Sequence, residues 1–383
     1  MGRDSDSISL VAVGDICLGM GVRDSIQRFG TDFPFAPCGP ILRSADLVFG
    51  NLEMVLHDEK TPLKANHLDF KAPASYGEGL GRTGFRVLST ANNHIMDFGA
   101  PACRDTLSFL KGQGIMTAGC GGNLAEARKP AILTVRRKRI GFLAYADDTG
   151  QSAQPNRPGV APIRKKYLLE DIDSLRQQVD IVVISLHADL EFVAYPAPWR
   201  VRLSRQLIDA GADLVLAHHP HVPQGIERYR QGLIAYSLGS FVFPVWGNSY
   251  AAERPHMDRS FILRLRCGRH NVREAEVLPV RINRCHQPVP FTGEDRQEFL
   301  HYLRAISLPL GRFDLLDRFW ANACWHTLGI QWAFLKVIYW EEGLAGVFRR
   351  LSFLARTGEN RRWLLGLLPC LVRSGFFRGS QKP

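Results

Sequence analysis

The chain has 383 residues, 45% of them apolar and 22% charged, which are ordinary values for a globular protein. Its length suits one large domain with an appendage, or two domains. Its eight cysteines contain no C-x-x-C pair, which excludes zinc-ribbon and thioredoxin motifs, and no apolar run approaches the roughly 18 residues of a membrane-spanning helix.

Met1 to Ser9 is polar, and the apolar run Ile8 to Val13 is short for a signal-peptide core, so no export signal is expected. Reduced thiols, most of them small buried residues, and a cytoplasmic location follow from that expectation.

In chain order, strands are predicted at Leu10–Val13, Leu47–Phe49, Arg86–Ser89, Ile115–Ala118, Ile181–Ser185, Leu214–Ala217 and Leu233–Tyr236. Most are Val/Ile/Leu runs without polar alternation, as in strands covered on both faces. Helices are predicted at Pro101–Lys111 and Pro198–Ala210, the second ending at Gly211. The alternation argues for an α/β layered fold. Two hairpins, Ala131–Val135 with Ile140–Ala144 and Phe261–Arg266 with Ala275–Val280, argue for a mixed sheet or a two-sheet sandwich. Residues 287–295, rich in Pro and Gly, read as a linker between a domain at 1–286 and a helical region at 296–383.

That last region is basic and Trp-rich. From His301 onward there are 12 Lys/Arg against 5 Asp/Glu, and five of the seven tryptophans. Either it packs on the main domain with a solvated basic face, or residues 313–378 form amphipathic helices that rest on the inner membrane or dock a synthase. Charge alone favours a nucleic acid, but no motif accompanies it, so none is expected as a partner.

Polar groups follow five of the strands: Asp15; Asn51 and Glu53; Asn92, Asn93 and His94; His187; and His218, His219 and His221. Singly, most have plain readings as caps, turn residues or half-buried histidines. Together they sit where an α/β sheet opens its ligand crevice, at the carboxyl ends of strands. A mixed oxygen and imidazole set of about six groups exceeds one tetrahedral ion and fits a pair of divalent ions bridged by a carboxylate. Mn, Fe or Zn would suit it. No G-x-S-x-G or P-loop supports a serine hydrolase or an NTPase.

The chain resembles the CapA family of capsule-biosynthesis proteins (the poly-γ-glutamate capsule domain), within the calcineurin-like metallophosphoesterases. The residues that carry the likeness are VAVGDICLG at 11–19, GNLE at 50–53, STANNHIMDFG at 89–99, VVISLHADLEF at 182–192 and LIDAGADLVLAHHPHVPQGIERYRQGLIAYSLGSFVF at 207–243. The resemblance implies a four-layer α-β-β-α sandwich. It implies metal ligands at Asp15, Glu53, Asn93, His187, His219 and His221, with Glu53 bridging. It makes His94 the catalytic group near the leaving group, and Asp97 and Glu191 groups that orient imidazoles. His218 is an extra residue without an assigned role.

The expected function is metal-dependent hydrolysis of a phosphoester-like bond in capsule or exopolymer synthesis, with metal-activated hydroxide attacking and His94 as acid. The substrate would be an anionic polymer or a phosphoester, and the partner the polymer-synthesis machinery. The alternative is a non-catalytic assembly or polymer-binding subunit with a structural metal site. Three positions depart from the family pattern. Cys17 stands where a ligand histidine is usual. Asp189 is an added acid that either repels an anionic substrate or replaces the missing ligand. Ser240 stands where Asn is usual.

Overall fold

The computed structural model describes residues 7–58, 69–247 and 254–367. The strands of its two main sheets are β1 (Ile8–Ile16), β2 (Leu47–Leu52), β3 (Phe85–Ser89), β4 (Met116–Ala118), β5 (Ala131–Val135), β6 (Lys138–Ala146), β7 (Ile181–His187), β8 (Leu214–His218), β9 (Ile226–Tyr229), β10 (Gly232–Ala235), β11 (Ser240–Val242), β12 (Arg259–Gly268), β13 (Asn271–Ile282) and β14 (Pro288–Pro290). The longer helices are α1 (Met20–Phe29), α2 (Gly99–Gly112), α3 (Lys165–Arg176), α4 (Pro198–Asp209), α5 (Gly293–Ser307), α6 (Phe313–Arg356) and α7 (Gly358–Gly366).

The first sheet runs β14-β13-β12-β1-β2-β3-β4, with β11 pairing the end of β1. The second runs β9-β10-β8-β7-β6-β5. The strands β1 to β4 are mutually parallel, as are β6, β7, β8 and β10. Both predicted hairpins are antiparallel pairs at sheet positions beside these parallel cores.

The apolar runs are covered on both faces, as their composition predicts. Successive residues of a strand point to opposite sides. Leu10, Ala12, Phe49 and Val87 of the first sheet therefore meet Phe142, Ala144, Val183 and Leu216 of the second in a core between the sheets. Phe49 and Phe142 stack there with centroids 5.3 Å apart. Their neighbours Val11, Val13, Val48 and Leu88 face outward onto Val22 and Ile26 of α1 and Leu110 of α2. Val182, Ile184 and Val215 face outward onto α3 and α4. The result is helix, sheet, sheet, helix: the four-layer sandwich.

Residues 287–295 differ from the expected linker. Pro288–Pro290 is an edge strand antiparallel to Val280–Ile282, a place where proline's missing N–H costs no ladder bond. The helix α5 starts at Gly293 and sends Phe299, Leu303 and Ile306 into the core between the sheets. Beyond it the chain is helical, as expected, through Gly366. Residues 368–383 of the expected helical region, Cys370 among them, lie outside the described residues. Of the other cysteines, Cys285 is exposed and the rest are buried thiols.

Helix α6 is interrupted at Gly343, whose φ of 66° leaves helical space. The Arg350 guanidinium reaches the Gln331 side-chain oxygen at 2.8 Å, 19 positions earlier. A straight helix would hold those residues about 28 Å apart, so the chain doubles back at Gly343 into a helical hairpin. That hairpin and α7 are fastened to the sandwich by a small cluster of Leu190, Cys324, Leu354 and Trp363. Arg362 adds an ion pair to Asp147 at 2.6 Å.

Candidate metal centre

The carboxyl ends of the parallel strands in both sheets open on one edge of the sandwich. Asp15, Glu53, Asn93 and His94 come from the first sheet and its following loops; His187, His218, His219 and His221 come from the second. The sequence-predicted groups therefore converge, but across two sheets.

Asp15 owes its position to the residue before it. An added Cβ on Gly14 would lie 1.7 Å from the Gly239 carbonyl oxygen. That contact is compatible only with glycine. It lets β1 shift register and donate the Asp15 N–H to Gly239 O at 3.0 Å. Gly239 itself sits at φ 74°, open to glycine without strain. Glu53 is set by its own backbone, whose N–H donates to Ile16 O at 2.9 Å. His219 and His221 have φ of 95° and 58°. Non-glycine residues occupy that region at a cost, and typically at functional sites.

Asp15 is fully buried. Its Oδ1 lies 3.2 Å from His218 Nδ1 and its Oδ2 3.2 Å from His221 Nδ1. Burial works to raise its pKa, but the hydrogen bonds and charges of His218 and His221 outweigh it and hold the carboxyl well below the usual range. His218, without a role in the sequence reading, thus sits against Asp15. Asn51 is a strand-end group to which the resemblance assigns no role. Its Nδ2 donates to Asp15 Oδ1 at 2.9 Å and lies 3.2 Å from His187 Nδ1. With Nδ1 so engaged, His187 turns Nε2 toward Glu53 Oε1 at 3.5 Å and Asn93 Oδ1 at 2.8 Å. Burial first, then the neighbouring histidines, hold His187 well below the ordinary imidazole pKa, so it presents a neutral ring, the form that ligates metal.

Glu53 lies at the centre. His221 Nε2 is 3.6 Å and His94 Nε2 3.9 Å from its Oε1. Glu53, His219 and His221 form one group able to hold a cation, and Asp15, Glu53 and His187 form another, each with ligand atoms within 4.8 Å. Glu53 belongs to both. Neither of its oxygens accepts a hydrogen bond from a described residue, although the side chain is 0% exposed. Its pKa is driven well up by burial, then by the charges of Asp15, Glu191 and Asp97. A buried carboxylate without a donor is costly unless a cation compensates it. The donor set of carboxylate oxygens, an amide oxygen and imidazoles is the kind that mid-row divalent ions take. The residues therefore fit a metal.

His94 stands at the rim. Its Nδ1 is 2.7 Å from Asp97 Oδ2, its ring stacks on Phe70 at 3.5 Å, and Asn93 Nδ2 lies 3.1 Å from Nε2. Asn92 is structural instead. Its amide donates to Leu52 O at 2.8 Å and its oxygen caps the N–H groups of His94 and Ile95. Glu191 lines the cleft beside Asn93 and His219.

The family departures resolve on these contacts. Cys17 is buried in the apolar cluster beneath α1, where burial pushes its thiol far up, and it is not among the grouped ligand residues. Asp189 neither faces a substrate nor replaces a ligand. Its carboxylate is buried against Arg200 Nε at 3.0 Å and accepts from the Ala197 N–H at 2.8 Å. Arg200 continues to Ala188 O, Gln224 Oε1 and Tyr236 O. The pair braces the loop behind His187. Ser240 Oγ lies 3.4 Å from His221 Nδ1.

Fold and site together define an α-β-β-α sandwich protein whose strand-end cluster could hold a metal ion. The chain belongs to the bacterial capsule synthesis protein PGA_cap family, whose model matches residues 9–245. It is 34% identical over 250 residues to the capsule biosynthesis protein CapA of Bacillus anthracis, covering 63% of this chain and 61% of that protein. It is 34% identical over 242 residues to the PGA biosynthesis protein CapA of Bacillus subtilis (strain 168), covering 62% and 64%. The matches thus span under two thirds of these relatives' lengths. Among solved structures, a 5'-nucleotidase precursor from Thermus thermophilus overlays with a TM-score of 0.45 at 13% identity, covering 78% of this chain and 59% of that one.

Proposed function

We propose that the protein is a metal-dependent hydrolase of phosphoester-type bonds, of the calcineurin-like kind, serving synthesis of an anionic exopolymer such as poly-γ-glutamate. The observation that carries this reading is the His94–Asp97 pair beside the Glu53 cluster. A site that only bound metal or polymer has no use for a rim imidazole held by a carboxylate at 2.7 Å.

In this reading Asp15, Glu53, Asn93, His187, His219 and His221 would hold two divalent ions, Glu53 belonging to both candidate groups. When bound, such ions supply Lewis acidity, which acidifies water and polarises a phosphoryl oxygen. The protein's own groups do the rest. Asn51 fixes the His187 ring, and Asp97 fixes His94 so that Nε2 faces the cluster. Held by Asp97 through Nδ1, His94 would pass a proton from Nε2 to the departing oxygen. Phe70, stacked on the ring, keeps bulk water from one face.

Turnover of a phosphodiester and a phosphomonoester by the Mn-, Fe- or Zn-loaded protein tests this. His94→Ala is expected to lower kcat by about 10²-fold or more without lowering metal content. No turnover with any metal overturns the hydrolase reading, and polymer production that survives His94→Ala in cells supports the assembly-subunit alternative.

The outer face of the helical hairpin supports a place at an anionic lipid surface beside the synthesis machinery. No described helix is long and apolar enough to cross a membrane. Yet Trp332, Tyr339 and Trp340 are exposed there, at 62%, 50% and 84%, on the same face of the first arm as exposed Lys336. Aromatic and basic groups on one helical face suit a lipid interface. Co-flotation with phosphatidylglycerol vesicles, lost on Trp332→Ser with Trp340→Ser, is the expected outcome.

A further inference from the structure

The family match ends at residue 245, but the cleft over the metal centre does not end there. A cavity of about 540 Å³ has Asn93 and His219 on one side and Thr327, Gln331, Phe353 and Trp363 of α6 and α7 on the other. The C-terminal helices are therefore a wall of the same cleft, not a separate appendage.

The wall is firmly placed. Trp363 is 2% exposed and its indole N–H donates to Asn360 Oδ1 at 2.9 Å. The Gly358 N–H donates to Asp148 O at 2.9 Å. The loop that begins there also carries Gln151, whose amide reaches Asp97 Oδ1 at 3.2 Å. One set of contacts thus links the helices to the group that orients His94.

The lining has a definite chemistry. Thr149, Gln151 and Gln331 bring hydroxyl and amide groups to it, while Thr327 and Asn360 use theirs on Ala323, Thr357 and Trp363. Arg254 adds a cation, held over the Phe192 ring at 5.2 Å, and no ion pair joins it to a described carboxylate. Arg350 adds a second guanidinium, engaged with Gln331. Among the described residues, Glu191 is the one carboxylate in the lining. Amide and hydroxyl groups read the repeated polar backbone of a chain, and guanidinium reads carboxylates or phosphates.

We infer that the C-terminal helices complete a binding groove for an extended, anionic, chain-like ligand leading to the metal centre, with Gln331 and Arg254 as its specificity-determining residues. This rests on the hydrolase reading for what happens at the groove's inner end, but not for the binding itself. A compact ester spans only the inner end. A chain must also pass the helical wall.

Titration calorimetry on the full-length, metal-loaded protein tests it, with a γ-linked glutamate oligomer as the probe. Gln331→Trp, which fills the groove, and Arg254→Ala, which removes its cation, are each expected to weaken oligomer binding by about tenfold or more. Metal content and thermal unfolding, measured on the same samples, are expected to match the parent and so report folding. Oligomer affinity equal in parent and both variants, or a parent that does not bind the oligomer, overturns the assignment. A parent that binds with this pattern but turns over no ester leaves the groove standing and removes the hydrolase.

Discussion

At the residue scale, the buried Asp189–Arg200 pair separates what a side chain costs from what it does. Burial raises the Asp189 pKa and lowers that of Arg200, so desolvation works against both charged forms. The attraction between them, with the bonds from Ala197 and Leu190 to Asp189 and from Arg200 to Ala188, Gln224 and Tyr236, offsets it. Asp189→Asn leaves a buried guanidinium without its counter-charge and is expected to destabilise the protein by about 3 kcal/mol. Urea unfolding checks this; a change within experimental scatter of zero removes the bracing role. In sequence Asp189 reads as an acid that repels an anionic substrate or replaces a missing ligand, because its partner lies 11 positions later in a helix and its φ of 106° is not legible there. For a related reason the resemblance assigns Asn51 no role. In the Gly-Asn-Leu-Glu segment the carboxylate drew attention, yet the amide two positions earlier is what joins Asp15 to His187.

At the element scale, β1 carries the most consequence. Its bulge exists because Gly14 lets the backbone of Gly239 approach. Gly14→Ala must force the two strands apart, at a cost of about 1–3 kcal/mol, and move Asp15 away from His218 and His221. A lower unfolding midpoint and weaker metal retention are expected together; full retention at parental stability contradicts the argument. Most strands and both hairpins were legible in the sequence, since long Val/Ile/Leu runs with turn residues between them admit few other readings. Which sheet each strand joins was not legible. Strands covered on both faces look alike, and only the packing of Phe49 on Phe142 and of their neighbours sorts them into two layers. The edge strand β14 reads as a linker in sequence because proline and glycine are shared signals of linkers and sheet edges. The length of α6 was visible as apolar, helical sequence, but its turn back at Gly343 rests on one residue's φ and a contact across 19 positions.

At the scale of the whole molecule, two sheets, four layers and a C-terminal helical wall are arranged about one cluster of buried acid and imidazole. Such a cluster is unfavourable when empty, because Glu53 is buried near Asp15 with no described donor to either oxygen. Metal binding and stability must therefore be coupled. A ligand at about 100 times its Kd stabilises the folded state by about 2.7 kcal/mol, so chelation is expected to lower the Tm by several degrees and Mn²⁺ to restore it. Elemental analysis of the purified protein bears most directly on the central claim. The account predicts two equivalents of transition metal per chain, with loss from both positions in Glu53→Gln, whereas protein that takes up no metal, and whose unfolding is unchanged by chelator, would contradict it.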